Sequence, residues 1–109
     1  RFLSSAIAGG HLPIALGVAW AVKRAGGKEH VWVFCGDMTA MGGMFHECAA
    51  YATGHRLPIT FVVEDNRQSV CSPTREVWGS VGDGPNIVRL YEYELVPWPH
   101  AGAGNRVQF

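Results

Sequence analysis

The sequence predicts an α/β fold, a doubly wound and mainly parallel sheet with helices on both faces. Three observations carry that reading. The apolar pattern changes period several times along the chain, as alternating helices and strands require. Two short runs, residues 30–35 and 57–64, are continuous, apolar and rich in β-branched or aromatic side chains, the pattern of strands covered on both faces in a parallel sheet. The text between them has room for a helix, so strand, helix and strand follow one another as in a crossover unit.

After the loop Ala8, Gly9, Gly10, His11, the residue Pro13 suits the first turn of a helix, where its missing N–H leaves no intrahelical bond unmade. Ile14, Ala15, Val18, Ala21 and Val22 then recur at helical spacing up to Arg24 and form the expected inward stripe, and Gly26-Gly27 stops the helix. The first strand ends at Gly36. A second helix is expected from about Gly43 to His55 on Met44, Cys48, Ala49, Tyr51 and Ala52, and the second strand follows as LPITFVVE. Residues 86–96 alternate and carry Tyr91 and Tyr93, so they read as a last strand. The Gly/Pro-rich stretch before it leaves no room for another crossover helix. Pro97, Pro99, Gly102 and Gly104 make residues 97–109 an irregular tail behind one domain, residues 1–96, expected to be part of a larger module.

The chain of 109 residues carries 9 Lys+Arg against 9 Asp+Glu, formal net charge +0, with pI ≈ 7.1. That balance marks neither a nucleic-acid binder nor a protein drawn to an anionic membrane. A hydrophobic content of 48% against 17% charged is high for a free-standing small domain, so part of the apolar surface is expected to lie against a partner. The longest apolar runs are shorter than the ~20 residues that span a bilayer, and neither a membrane segment nor a signal peptide is expected. Cys35, Cys48 and Cys71 are odd in number and lack CxxC spacing, which argues against a disulfide framework and a zinc site and for a reducing cytoplasm. Neither GxxxxGK[ST] nor GxGxxG occurs, so a generic nucleotide-binding reading has no motif behind it.

On doubly wound sheets ligands sit at the carboxyl ends of strands. Here those ends are Gly36-Asp37-Met38 and Glu64-Asp65-Asn66-Arg67. A carboxylate beside free backbone N–H groups can hold a divalent ion and the phosphates it bridges, which makes Asp37 the first ligand candidate. Asn66 offers a neutral hard oxygen of the kind Mg²⁺ accepts, and a backbone carbonyl just beyond offers a third. A Gly-Asp at a strand end is by itself also an ordinary turn or N-cap. The helix and buried strand between Asp37 and Asn66 make the pair more specific.

The stretch GDMTAMGGMFHECAAYATGHRLPITFVVEDNRQSV resembles the Gly-Asp-Gly to Asn motif of thiamine-diphosphate enzymes. It is most similar to the alpha subunit of the 2-oxo acid dehydrogenase first component and to the amino-terminal half of transketolase. The resemblance implies a compact or incomplete version of the family's cofactor-binding domain. It implies Mg²⁺ on Asp37, Asn66 and the main-chain oxygen of Gln68, with Gly36 and the Met38 and Thr39 amides near the diphosphate. Upstream, GGHLPIALGVAWAVKRAGG resembles the glycine-rich loop and helix that pass close to the cofactor, which adds Gly10, His11 and Leu12 as contacts and His11 as a possible acid/base.

The implied reaction is C–C bond cleavage of a 2-oxo acid with acyl transfer, or transketolase-like ketol transfer. A degenerate, non-catalytic scaffold half is the alternative from another class. The implied partner is a pyrimidine-binding, beta-type subunit that supplies the activating glutamate in a hetero-oligomer. Two departures stand out: Met38 replaces the third glycine of Gly-Asp-Gly, and residues 75–85 are too few for the family's additional helix.

Other chemistry-bearing residues have plainer readings. His46-Glu47 is not HExxH because position 50 is Ala50, and His46 reads as a packed or surface residue. Cys35 and Cys48 read as core, while Cys71 is the plausible reactive thiol. Trp20, Trp32, Trp78 and Trp98 read as core or interface, Arg75-Glu76 as surface, and His100 as part of an exposed tail.

Overall fold

Helices pack on a short parallel sheet in the computed structural model, which describes residues 2–79 and 88–93. Residues 97–109, with Trp98 and His100, lie outside the described residues. The order is α1 (His11–Arg24), β1 (Val31–Gly36), α2 (Asp37–Ala40), α3 (Gly43–Gly54), β2 (Ile59–Asp65), β3 (Gln68–Ser69), β4 (Ser72–Pro73), α4 (Thr74–Trp78) and β5 (Val88–Glu92). The main sheet runs β1-β2-β5, and both pairings are parallel. The α/β class and the mainly parallel sheet are therefore those expected from the sequence.

Helix α1 ends in a Schellman motif: Gly26 adopts φ +66, its N–H bonds Lys23 O at 3.1 Å, and Gly27 N–H bonds Val22 O at 3.0 Å. Helix α3 closes the same way without a glycine. Arg56 takes φ +49, Arg56 N–H bonds Thr53 O, Leu57 N–H bonds Ala52 O, and the buried Leu57 anchors the turn. The sequence gives no glycine signal for that second stop, because a side-chain residue accepts the left-handed conformation once its neighbour is buried.

The core lies between the sheet and the pair α1 and α3. Phe61, Leu12 and Ile59 are its largest fully buried side chains, joined by Val33, Cys35, Val63, Phe45, Cys48, Ala49 and Ala52. Phe45 meets Phe61 edge to face with ring centroids 5.5 Å apart.

The expected inward face of α1 needs correction. Leu12 and Ala19 are buried and Ala15, Leu16 and Trp20 pack on the core, whereas Ile14 and Val18 are each 50% exposed. The helix carries apolar residues around most of its circumference, so spacing alone does not select the face. Cover on both faces of β1 is likewise not found among the described residues. Val33 and Cys35 are buried, but Trp32 and Phe34 on the opposite face are 59% and 55% exposed. Trp78 is also exposed rather than core. Among the described residues, no helix is long and apolar enough to cross a membrane.

Residues Asp37–Ala40 form a single helical turn, and a two-stranded hairpin with a short helix follows Asn66; the sequence reading placed no element at either position. The last strand is described over Val88–Glu92 and pairs in parallel with β2. Truncating the ring at the centre of this packing, Phe61→Ala, is expected to destabilise the domain by ~3–5 kcal/mol in urea unfolding, as for other fully buried aromatics. A loss below about 1 kcal/mol would place Phe61 outside the cooperative core.

Candidate functional site

Parallel register sets Gly36 of β1 opposite Glu64 of β2 and Asp65 of β2 opposite Glu92 of β5. The residues following each strand therefore emerge along one edge, and Tyr93 N–H extends the ladder to Asp65 O at 3.2 Å. Between these ends lies a cleft of about 330 Å³. Gly36, Asp37, Met38 and Thr39 line it from one side, Glu64, Asn66, Gln68 and Ser69 from the other, and Tyr93 closes the third.

Gly36 is extended, with φ −73 and ψ 160, and the helical turn α2 begins at the next residue, so the chain bends where β1 ends. A Cβ on Gly36 would meet no atom within 4 Å, which leaves this wall of the cleft open. Asp37 is only 7% exposed, and its Oδ2 has no hydrogen-bond partner. Burial raises the Asp37 pKa above its ordinary 3.8, and nearby Asp65 pushes the same way, while the Thr74 hydroxyl and the Met38 backbone N–H pull it down. The Thr74 hydroxyl is close enough to exert that pull, yet it too is buried and completes no hydrogen bond of good geometry.

Asn66 is 5% exposed, and its Oδ1 accepts Gln68 N–H at 3.1 Å, an Asx turn that holds the amide in place. Asp65 Oδ1 accepts Arg67 N–H at 2.7 Å in a second such turn. Arg67 then takes φ +65 and its carbonyl accepts Thr74 N–H at 3.0 Å, so the hairpin folds back on the turn that begins it. Val70 at the hairpin tip adopts φ +55, a conformation a β-branched residue takes only under constraint. Gln68 Nε2 donates to Val70 O at 2.5 Å across that tip.

Asp37, Met38, Thr39, Gly36, Asn66 and Gln68 thus meet in one cleft. Met38 is half-buried, and its sulfur accepts Trp78 Nε1–H at 3.1 Å, which turns the thioether toward α4. Gly10, His11 and Leu12 stand outside the cleft's lining. Leu12 is wholly inside the core. His11 donates Nε2–H to Phe34 O at 2.8 Å, a bond that fixes the ring beside β1. The same loop still comes near α2, since a Cβ on Gly9 would lie 3.6 Å from the Thr39 methyl.

Sequence reasoning did not single out Thr74, Ser69, Tyr93 or Glu64 as site residues. Thr74 lies eight residues after Asn66, and nothing in linear text shows that a hairpin brings it back beside Asp37. Cys35 and Cys48 are buried, and burial, with help from Glu64 and Asp37, pushes the Cys35 thiol up to about 11. Among the described residues no three His, Cys, Asp or Glu side chains cluster as a metal site. Any cation here would rest on the two side-chain oxygens of Asp37 and Asn66 and on main-chain oxygen, a hard donor set.

The buried side-chain oxygens of Asp37 and Asn66 thus stand at adjacent ends of parallel strands with an open glycine wall beside them, where ligands sit on α/β sheets. The chain belongs to the dehydrogenase E1 component family, whose model matches residues 2–80. It is 33% identical over 78 residues to the mitochondrial 2-oxoisovalerate dehydrogenase subunit alpha of Dictyostelium discoideum, covering 69% of this chain and 18% of that protein. It is also 33% identical over 60 residues to the pyruvate dehydrogenase E1 component subunit alpha of Bacillus subtilis (strain 168), covering 55% of this chain and 16% of that one. The chain therefore aligns with less than a fifth of either relative's length.

Two outcomes test the site's electrostatics and exposure. A carboxyl whose folded pKa is raised makes the folded state bind more protons than the unfolded chain between the two values, so stability falls as pH rises through that window. Asp37→Asn removes this loss. In metal-free protein it is expected to raise the melting temperature by a few degrees at pH 7 and to bring no gain below the ordinary 3.8, read by calorimetric melts across pH. An unchanged or lower melting temperature at pH 7 would contradict the buried-carboxylate assignment. Brief alkylation of the native protein at pH 8, followed by peptide mass mapping, is expected to modify exposed Cys71 and spare Cys35 and Cys48.

Proposed function

We propose that this chain is the Mg²⁺- and diphosphate-holding part of a thiamine-diphosphate-dependent 2-oxo acid dehydrogenase alpha subunit. The observation that carries the reading is the Asp37 carboxylate, buried with one oxygen unpartnered, beside buried Asn66 in a chain of the dehydrogenase E1 family. An orphaned buried oxygen costs ~1–3 kcal/mol, and a bound cation offsets that cost. The residues present thus fit a divalent ion.

In this reading Asp37 and Asn66 give side-chain oxygens to Mg²⁺, and Gln68 gives its main-chain oxygen. The Asx turn at Asn66 leaves Oδ1 a second lone pair for the metal while its first accepts Gln68 N–H. Gly36 leaves room for the diphosphate, and the Met38 and Thr39 amides lie beside it. The Met38 sulfur is held by Trp78, so the residue in place of a glycine keeps its far end toward α4. Gly10 belongs to the loop that reaches α2, and Leu12 to the first turn of α1 behind it. His11 is the acid/base candidate, with its ring oriented by Phe34 O.

When bound, the cofactor supplies the electron sink that cleavage of a C–C bond next to a carbonyl needs. The chain's own residues anchor it and exclude water from its charged end. The activating glutamate comes from a pyrimidine-binding, beta-type partner subunit, and the substrate is a 2-oxo acid. The names of the two relatives, dehydrogenases of 2-oxoisovalerate and pyruvate, favour this substrate class over a ketose.

Calorimetry on the full-length protein with its co-purifying partner tests the reading. Mg²⁺ and thiamine diphosphate are expected to bind together, and Asp37→Ala or Asn66→Ala to weaken that binding by about a hundredfold or more, at or beyond the range seen for supporting residues of metal sites. Reduction of an artificial electron acceptor should then depend on a 2-oxo acid. Binding unchanged by Asp37→Ala would sink the proposal.

A further inference from the structure

Among the described residues, the buried polar side chains are Asp37, Asn66 and Thr74: the first two line the cleft, and Thr74 lies beside Asp37. The first two have a proposed task. Thr74 has none, although its hydroxyl is shut from water without completing a hydrogen bond. Leaving such a group unpaired costs ~1–3 kcal/mol, and an isosteric valine would fill the same space without that cost.

The surrounding chain holds Thr74 firmly. Its N–H is bonded to Arg67 O at 3.0 Å, the preceding Pro73 pairs with Gln68 across the hairpin, and α4 is fixed at its far end by Trp78 on the Met38 sulfur. The last of these contacts engages Met38, the chain neighbour of Asp37, and the first two engage Arg67 and Gln68, which follow Asn66. Asp37 Oδ2 and Thr74 Oγ1 are both buried without a hydrogen-bond partner, and the Thr74 side chain lies close enough to act on the Asp37 carboxyl. It favours the charged form of Asp37.

We propose that Thr74 is a positioning residue for Asp37: its hydroxyl donates to the Asp37 carboxylate when a cation is bound and so fixes which carboxylate oxygen faces the cleft. Thr74 does not touch the cation. It acts through Asp37, in the way a hydrogen-bonded outer group orients a metal-ligating carboxylate. The inference rests on the cofactor reading above and names a residue outside the ligand set assigned there.

The test titrates Mn²⁺ into the assembled full-length protein at saturating thiamine diphosphate and follows free Mn²⁺ by electron paramagnetic resonance. Thr74→Val is expected to weaken Mn²⁺ binding about tenfold, and Thr74→Ser, which keeps the hydroxyl, to stay within about threefold of wild type. The metal-free melting temperature of Thr74→Val should not fall below that of wild type, because an unpaired buried hydroxyl has been removed. Should the valine variant fail to assemble, Thr74→Ala carries the same test. Mn²⁺ binding by Thr74→Val equal to wild type would overturn the proposal, and so would a serine variant as weak as the valine one. Wild-type protein that binds no Mn²⁺, or an Asp37→Ala variant that binds it as well as wild type, would instead remove the cofactor reading and this inference with it.

Discussion

The parallel pairing of β1 with β2 is the constraint on which the rest of the structure depends. Because Gly36 lies opposite Glu64, the chain leaves both strands at the same edge, and Asp37 and Asn66 become neighbours although a helix and a strand separate them in sequence. A shift of one residue would turn every side chain of β2 to the other face and take Phe61 and Val63 out of the core. The register that buries the apolar residues is the one that aligns the polar ends. Core packing and site assembly are thus the same event.

That edge is then sealed by short, strained and mutually hydrogen-bonded pieces rather than by long elements. Two Asx turns, a left-handed Arg67, a hairpin with a left-handed Val70 and a five-residue helix follow one another. None of these would persist alone in water, where short helices and isolated hairpins are marginal. Each is stabilised by the next: Thr74 N–H on Arg67 O, Gln68 paired with Pro73, Trp78 on Met38. The arrangement buries three polar side chains close together. Burial raises the Asp37 pKa above its ordinary value.

The sheet's second face shows how much of the apolar composition is not used by the described residues. Trp32 and Phe34 of β1 stand on the side opposite α1 and α3 and remain more than half exposed, and Tyr91 of β5 shares that side and that exposure. Ile14 and Val18 of α1 are similarly bare. Exposed apolar side chains thus stand on both outer sides of the described core. That exposure explains why apolar spacing misassigned the inner face of α1: the helix is apolar on sides that this core does not reach.

What the sequence determined by itself was the set of major elements and the two strand ends. Continuous β-branched runs, the Gly26-Gly27 stop and the turn chemistry of Asp65-Asn66 act over a few residues, so linear text carries them. The resemblance of residues 36–70 to a known motif added the ligand set in advance of any geometry. The buried face of α1, the helical turn at Asp37, the αL stop at Arg56 and the return of Thr74 beneath Asp37 were decided only in three dimensions. Each of these depends on which surfaces meet once the strands have paired. Burial, and the polar groups it leaves without water, is a property of that meeting and not of any local run of residues.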